Sequence, residues 1–154
     1  MCLLDNDEIL AFIDKAETKL KHSKVLFEIK GYADSVSLSY YSMFLCAKAV
    51  LIKKDCNIPK THQGLIQLFS LKYVRDDEFK YNIYKHLANA QSDREDADYA
   101  AIDSISYALA EKRIKQAEEF LNETKKFLLL CFFFLQKMVK TLSKRLKCNL
   151  KKQK

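Results

Sequence analysis

The sequence predicts an all-α protein, an antiparallel bundle of about five helices. The chain of 154 residues contains only two Gly and one Pro, and so few turn formers disfavour sandwiches, turn-rich barrels and Gly-cradled phosphate sites. Apolar residues recur at three- and four-residue steps along most of the chain, whereas no segment flanked by turn residues alternates with a period of two. Helices packed side by side account for this pattern.

The first helix is predicted by an apolar stripe that consists of Ile9, Phe12, Ile13, Ala16, Leu20 and Phe27. Asp5 and Glu8 have the spacing of a capping box at its start. Gly31 is expected to end the helix, because glycine enters the left-handed backbone region without strain.

The second helix is predicted from a cap at Asp34 or Ser35 to about Lys54, and it is apolar enough to lie at the centre of the bundle. Its Tyr40 and Tyr41 are expected in the core and at a dimer interface. The break at residues 57–59 separates it from a third helix, which Thr61 is expected to cap.

The fourth helix is predicted over roughly residues 77–92, after Asp76 and Asp77. Residues 92–99 are densely charged and are expected to leave the helix. The last helix is expected to begin between Ala100 and Ser106 and to run past Phe120.

The net charge of +7 is unevenly distributed. Residues 1–123 contain 17 Lys and Arg against 20 Asp and Glu, whereas residues 124–154 contain 10 Lys and Arg and no acidic residue. The net positive charge therefore comes from the tail, and it gives no reason to expect that the body of the protein binds nucleic acid.

The five cysteines are scattered, with no zinc-ligand spacing and no nearby His. We expect them to be reduced in a cytoplasmic protein, because the first twenty residues also lack a secretory signal. His22 and His86 lie alone, and His62 is expected to cap or pack the third helix. No metal site and no cofactor are predicted.

Five short motifs carry a resemblance to a known family. They are Gly31-Tyr32-Ala33-Asp34, Ser39-Tyr40-Tyr41-Ser42-Met43-Phe44, Thr61-His62-Gln63-Gly64, Arg94-Glu95-Asp96-Ala97-Asp98-Tyr99 and Ala117-Glu118-Glu119-Phe120. Together, over residues 6 to about 125, they resemble the HEPN domain family (higher eukaryotes and prokaryotes nucleotide-binding), in its small prokaryotic branch.

The resemblance implies a helical bundle that forms homodimers, in a family of metal-independent endoribonucleases and toxins that often pair with a small nucleotidyltransferase. In the nucleolytic members an Arg is followed four to six residues later by a His. Arg94 matches the Arg, but Tyr99, Ala100 and Ala101 stand where His is expected. The candidate catalytic residues are therefore Arg94, Asp98 and Tyr99.

Two interpretations of Arg94 remain open. Its guanidinium can hold an RNA phosphate, or it can form an ion pair with the neighbouring acids, which are Asp93, Glu95, Asp96 and Asp98. The first leads to a protein of toxin–antitoxin or nucleotide-handling type that binds RNA or a nucleotidyltransferase. The second leads to a non-catalytic dimeric helical interaction module.

The sequence divides into a HEPN-like bundle at residues 1–126 and a hydrophobic, then Lys-rich tail at residues 127–154. The apolar run 127–135 spans roughly 14 Å as a helix, too short to cross a bilayer. There are three alternatives for the tail. It continues the last helix and packs on a dimer partner, or it is a basic amphipathic segment that contacts a membrane surface, an acidic partner or nucleic acid. The third alternative is an extension without an evolved role.

Overall fold

A computed structural model describes the backbone of residues 3–54, 56–75, 79–99 and 105–151, and the side chains of residues 6–54, 56–75, 79–98 and 105–130. The elements are α1 (Leu3–Glu28), α2 (Tyr32–Lys53), α3 (His62–Phe69), a π-helical segment (Ser70–Val74), α4 (Tyr81–Tyr99) and α5 (Tyr107–Lys151). The predicted all-α fold with five α-helices is confirmed for these residues. The chain divides into two compact units, residues 1–124 and residues 125–154.

The turn between α1 and α2 is a Schellman motif. Lys30 adopts the left-handed conformation with φ of 66°. Its amide donates to the Phe27 carbonyl at 3.0 Å, and the Gly31 amide donates to the Leu26 carbonyl at 2.8 Å. The prediction that Gly31 supplies the left-handed residue is wrong, since its φ is −77°. Gly31 instead permits a close approach, because a Cβ there would lie 3.3 Å from the Leu26 carbonyl oxygen.

The predicted caps of the first two helices are also wrong. Helix α1 begins at Leu3, which places Asp5 inside its first turn, and α2 begins at Tyr32, before Asp34 and Ser35. Ser35 is buried, and its hydroxyl lies 3.0 Å from that of Ser23 on α1. Its burial makes Ser35 a contact between the two helices.

A cluster of buried serines joins α1 to α2. The Ser23 hydroxyl donates to the Ser35 carbonyl at 2.8 Å and lies 2.8 Å from the hydroxyl of Ser39. Three residues after Ser39 on α2, the Ser42 hydroxyl donates to the Ala16 carbonyl of α1 at 2.8 Å. These small side chains allow the two helices to pack closely while their polar atoms remain hydrogen-bonded.

Helix α2 is the centre of the bundle, as predicted. It packs against α1, α3 and α4, and its fully buried side chains include Val36, Tyr40, Met43, Val50 and Leu51. Among the described residues it is the one helix whose length and apolar composition would allow it to cross a membrane. Most of its apolar stretch is buried by the other helices, and the core helix of a bundle has the same properties.

Helix α3 begins with the predicted cap. The Thr61 side chain accepts a hydrogen bond from the Gly64 amide at 3.1 Å, which confirms Thr61 as the N-cap. After α3 the π-helical segment brings Tyr73 into an aromatic core, where its ring centroid lies 5.6 Å from that of Phe69. Phe120 of α5 joins this core at 5.7 Å from Phe69.

Helix α4 is longer than predicted at its C-terminal end. Residues 92–99 remain helical, so the prediction that they leave the helix is wrong. Charged side chains of this segment have partners one helical turn away. Arg94 forms an ion pair with Asp98, and Gln91 donates a hydrogen bond to Glu95 at 3.2 Å. Asp76 and Asp77 lie outside the described residues, but α4 begins at Tyr81, so the predicted start near residue 77 is too early.

Helix α5 begins at Tyr107, one residue after the predicted interval, and Ser106 caps it. The Ser106 hydroxyl accepts from the Leu109 amide at 3.2 Å, and residues 100–104 lie outside the described part of the chain. Its buried side chains within the first unit are Ala110, Arg113, Ile114, Ala117, Phe120, Leu121 and Thr124. The backbone stays helical to Lys151, as the first of the three alternatives for the tail assumed.

Candidate functional site

Arg94 ties α4 to α2. Its Nη2 atom donates a hydrogen bond to the Tyr41 hydroxyl at 2.9 Å, and its guanidinium carbon lies 5.5 Å from the centroid of the Tyr41 ring. Its Nε atom lies 2.7 Å from an Asp98 carboxylate oxygen. The guanidinium is thereby fixed by two side chains on different helices, and 16% of the Arg94 side chain is exposed.

Asp98 is held from two sides. Its Oδ2 atom pairs with Arg94, and its Oδ1 atom accepts a hydrogen bond from the Ser37 hydroxyl of α2 at 2.5 Å. Both oxygens therefore already have a partner, which suits a carboxylate that orients Arg94 better than one that takes a proton from a substrate.

The four acids around Arg94 do not act as one group. Arg94 pairs with Asp98, whereas Nε and Nη2 of the buried Arg113 of α5 both contact one oxygen, Oδ2, of Asp93. Gln91 donates to Glu95. Asp93 is thus neutralised by its own cation, and the repulsion of a phosphate by this acidic segment is weaker than its composition indicates.

His62 lies against the aromatic residues of α2. Its Nδ1 atom is 2.7 Å from the hydroxyl of the buried Tyr40. The imidazole stacks on Phe44 with 4.4 Å between ring centroids and an interplanar angle of 20°, and it meets the Tyr41 ring edge-on at 6.0 Å. The expected packing role of His62 is therefore observed, but it joins His62 to the residues that contact Arg94.

Burial shifts the pKa values of both hydrogen-bonded partners. Burial raises the pKa of Tyr40 far above its usual value, although Arg94 opposes the shift, so the phenol keeps its proton. Burial first, and the nearby Arg94 charge second, lower the pKa of His62 below 6.5. Near neutral pH the imidazole is therefore uncharged.

A groove of about 480 Å³ opens beside His62. Its lining is mostly apolar and comes from α1, α2 and the first turn of α3, and its residues are Asp14, Lys15, Thr18, Lys19, Tyr41, Phe44, Leu45 and His62. Tyr41 belongs both to this groove and to the Arg94 cluster. The groove and the Arg94 cluster are therefore neighbours that share one side chain.

The structure brings together two of the three candidate catalytic residues. Arg94 and Asp98 are in contact, whereas the Tyr99 side chain lies outside the described residues and only its backbone, at the last position of α4, is defined. Sequence reasoning did not find the roles of Tyr41 and His62 beside Arg94. The contacts that join them cross 53 and 22 positions of the chain, so no local pattern signals them.

No metal-binding cluster is present in the part of the chain that the structure describes. Nowhere there do three His, Cys, Asp or Glu side chains come together as ligands. The chemistry that these described residues can supply is that of a guanidinium, a neutral imidazole, phenols and carboxylates.

The HEPN domain family matches this chain over residues 9–127. A protein of Methanocaldococcus jannaschii named "Putative toxin MJ0142" is 36% identical over 122 residues, which cover 79% of this chain and 82% of that protein. A second protein of the same organism, "Putative toxin MJ0605", is 38% identical, with 79% and 90% covered. A UPF0332 protein of Archaeoglobus fulgidus is 36% identical, with 77% and 94% covered.

Proposed function

This chain belongs to the HEPN domain family, and from that premise we propose that it is a toxin-type protein that binds RNA through Arg94. The supporting observation is the fixation of the Arg94 guanidinium by Asp98 and Tyr41 while part of the side chain remains exposed. A guanidinium held in one orientation can bind a phosphate through two parallel hydrogen bonds. The toxin names of two relatives support the same class.

In this proposal the three candidate residues have different roles. Arg94 holds the scissile phosphate, and Asp98 is a positioning residue, because its two oxygens are occupied by Arg94 and Ser37. Tyr99 is assigned by the family position at which His is usual. Its phenol is a poor base near neutral pH, since an ordinary tyrosine has a pKa of about 10.

We place the protein in the cytoplasm as a homodimer, with a small nucleotidyltransferase as a second partner. Such an enzyme would transfer a nucleoside monophosphate from a nucleoside triphosphate to the Tyr99 hydroxyl and release pyrophosphate. Mass spectrometry of the protein after co-expression with a candidate transferase tests this, with Tyr99→Phe as the unmodifiable control. An unchanged mass of the wild-type protein would contradict the proposal of a nucleotidyltransferase partner.

The test of the main proposal is RNA cleavage by the full chain in the presence of a metal chelator. We expect a slow cleavage of single-stranded RNA that Arg94→Ala abolishes and that Asp98→Asn reduces. Lys112→Ala, an exposed change on α5, is the matched control. Cleavage that persists unchanged in Arg94→Ala would contradict the assignment of Arg94.

One observation favours a second candidate, a non-catalytic dimeric helical interaction module. Arg94 pairs with Asp98 on its own helix and donates a hydrogen bond to Tyr41 of α2, which connects α4 to α2 as a structural anchor would. If this candidate is correct, we expect no RNA cleavage by the wild type and a dimer in light scattering. We also expect Arg94→Ala to lower the stability of the fold and to have no other effect.

For the tail we propose that residues 127–154 lie outside the functional domain. The absence of acidic residues from 124 to 154 supports this division, because the charge pattern changes abruptly there. Deletion of residues 127–154 is expected to leave the cleavage and the dimer unchanged. Loss of solubility or of the dimer would instead indicate that the tail packs on a partner.

A further inference from the structure

The groove beside His62 has the size and lining of a site for one small planar group. Its volume of about 480 Å³ falls within the range of roughly 300–1,000 Å³ that is typical of small-molecule sites. A partner helix would need a longer apolar surface, because it binds through anchors spread over two turns. The volume therefore favours a compact occupant over a protein segment.

The aromatic residues of the groove indicate that this occupant is planar. Phe44 and His62 lie nearly parallel to each other, and Tyr41 meets His62 edge-on. Unpaired bases of single-stranded nucleic acid bind to aromatic surfaces by stacking, and here a base can stack on an outer face of the Phe44–His62 pair. An aliphatic ligand would gain hydrophobic contact in the groove but no stacking.

The charged residues at the groove suit a phosphate group next to the bound base. Lys15 and Lys19 lie one turn apart on the same face of α1, and only one carboxylate, that of Asp14, lines the groove with them. Arg94 stands behind Tyr41, but Asp98 pairs with it and Glu95 lies nearby. The net charge of the groove lining is therefore +1, from Lys15 and Lys19 against Asp14, and the two lysines can attract a phosphate.

The Tyr40 hydroxyl bears on which nitrogen of His62 carries the proton. It keeps its own proton and lies 2.7 Å from Nδ1, so it can donate to this nitrogen of the neutral imidazole. A neutral imidazole that accepts at Nδ1 carries its own proton on Nε2. In that tautomer His62 can donate from Nε2 to a carbonyl or ring-nitrogen acceptor of a base.

We propose that this groove binds one unpaired base of single-stranded RNA against Phe44 and His62, with the adjacent phosphate held by Lys15 and Lys19. The inference rests on the proposed function, in which RNA is the ligand, and it deepens that function by naming a second subsite. Tyr41 connects the two, so a strand whose base lies in the groove continues towards Arg94.

The test separates base binding from backbone attraction. The probes are a fluorescein-labelled 2′-O-methyl oligouridine, which lacks the nucleophile for cleavage, and an abasic oligomer of equal length, both measured by fluorescence anisotropy with the full chain. We expect the wild type to prefer the base-bearing probe by about fivefold or more. We expect the Lys-rich tail to attract both probes equally, because the attraction of lysine to phosphate does not depend on the base.

Two variants should remove different parts of the binding. Phe44→Leu is expected to abolish the preference for the base-bearing probe, and Lys19→Gln is expected to weaken the binding of both probes. The matched controls are Tyr81→Leu, an exposed aromatic on α4, and Lys21→Gln, an exposed cation elsewhere on α1. Both controls should retain the wild-type preference and affinity.

Each outcome decides the inference. Equal affinity of the wild type for the two probes, or a preference that survives Phe44→Leu, overturns it, even where Arg94-dependent cleavage is found. If the preference depends on the groove but ordinary RNA is not cleaved, base binding in the groove is supported and only the catalytic part of the proposed function is contradicted. If Phe44→Leu does not fold, crosslinks of a 4-thiouridine probe to the wild type decide, and crosslinks confined to the tail or to other helices overturn the inference.

Discussion

The Tyr40 hydroxyl lies 2.7 Å from Nδ1 of His62, which joins the fully buried centre of α2 to the first residue of α3. A tyrosine in a helical core can be explained by its apolar ring alone. Here the phenolic oxygen also fixes the position of the only histidine that lines the groove. This hydrogen bond is one of the connections between the core and the candidate site, together with that from Ser37 to Asp98.

Tyr40→Phe should weaken the fold and release His62. The change removes the hydroxyl and keeps the ring, so we expect the free energy of unfolding in urea to fall by about 0.5–1.5 kcal/mol. The NMR signals of the His62 ring should also shift. Tyr81→Phe, at an exposed position, is the control, and identical urea curves for wild type and Tyr40→Phe would argue against the hydrogen bond.

Protonation of His62 should destabilise the protein in acid. Burial lowers the pKa of His62 below 6.5, and the Arg94 charge acts in the same direction while Glu95 opposes it. Between its folded and unfolded pKa values the unfolded chain binds more protons, so this contribution to stability is present above about pH 6.5 and is lost as the pH falls.

The measurement is urea unfolding at several pH values for the wild type and His62→Gln. The charged groups nearest to His62 are Arg94 and Glu95 on α4 and the groove residues Asp14, Lys15 and Lys19 on α1, and they are the same in both proteins. We expect the wild type to lose more stability than the variant below pH 6.5. Parallel pH profiles would contradict the lowered pKa.

Arg94→Lys should not preserve the connection between α2 and α4. A lysine keeps the charge but lacks the rigid guanidinium that holds an ion pair with Asp98 and a hydrogen bond to Tyr41 at the same time. We expect a loss of about 1 kcal/mol in the free energy of unfolding, and a greater loss for Arg94→Ala. Lys112→Ala serves as the exposed control, and a fully stable Arg94→Lys would show that one contact suffices.

Gly64→Ala should displace the first turn of α3. An added Cβ would lie 2.7 Å from the Thr61 hydroxyl oxygen and 3.0 Å from the Pro59 Cβ. We expect loss of the Thr61 cap, at about 1 kcal/mol, together with shifted NMR signals of His62. Gln63→Ala changes an exposed neighbour in the same turn and should leave those signals in place, which separates the clash from a general loss of helix.

Ser23→Ala should loosen the contact between α1 and α2. The Ser23 hydroxyl serves the Ser35 carbonyl and both the Ser35 and Ser39 hydroxyls, so its removal leaves buried polar atoms short of a partner, at a cost of about 1–3 kcal/mol. Thermal unfolding measures this. Ser92→Ala on the exposed surface of α4 should lie close to the wild type.

The sequence alone was sufficient for features that depend on local periodicity. The apolar stripes predicted the helices, and Thr61 was recognised as a cap because a cap bonds within three residues. The failures at Gly31, Ser35 and residues 92–99 have different causes. The left-handed residue is Lys30, one position before Gly31, and Ser35 is buried against Ser23 of another helix. Residues 92–99 stay helical with ion pairs and hydrogen bonds one turn apart.

The candidate site was predictable only in part. Arg94 and Asp98 lie one turn apart on α4, so their pairing follows from spacing. Tyr41 and His62 reach this region through the packing of α2 and α3, and the buried Arg113 that neutralises Asp93 comes from α5. Such contacts appear once the helices are assembled.

The shared position of Tyr41 has a consequence for the order of synthesis. The groove is built from residues up to His62, whereas the partner that fixes Tyr41 is Arg94 on α4. A nascent chain that has released α1, α2 and α3 from the ribosome holds every groove residue and lacks the guanidinium. The growing polypeptide thus contains all the groove residues before Arg94, and translation of α4 adds the guanidinium that holds Tyr41.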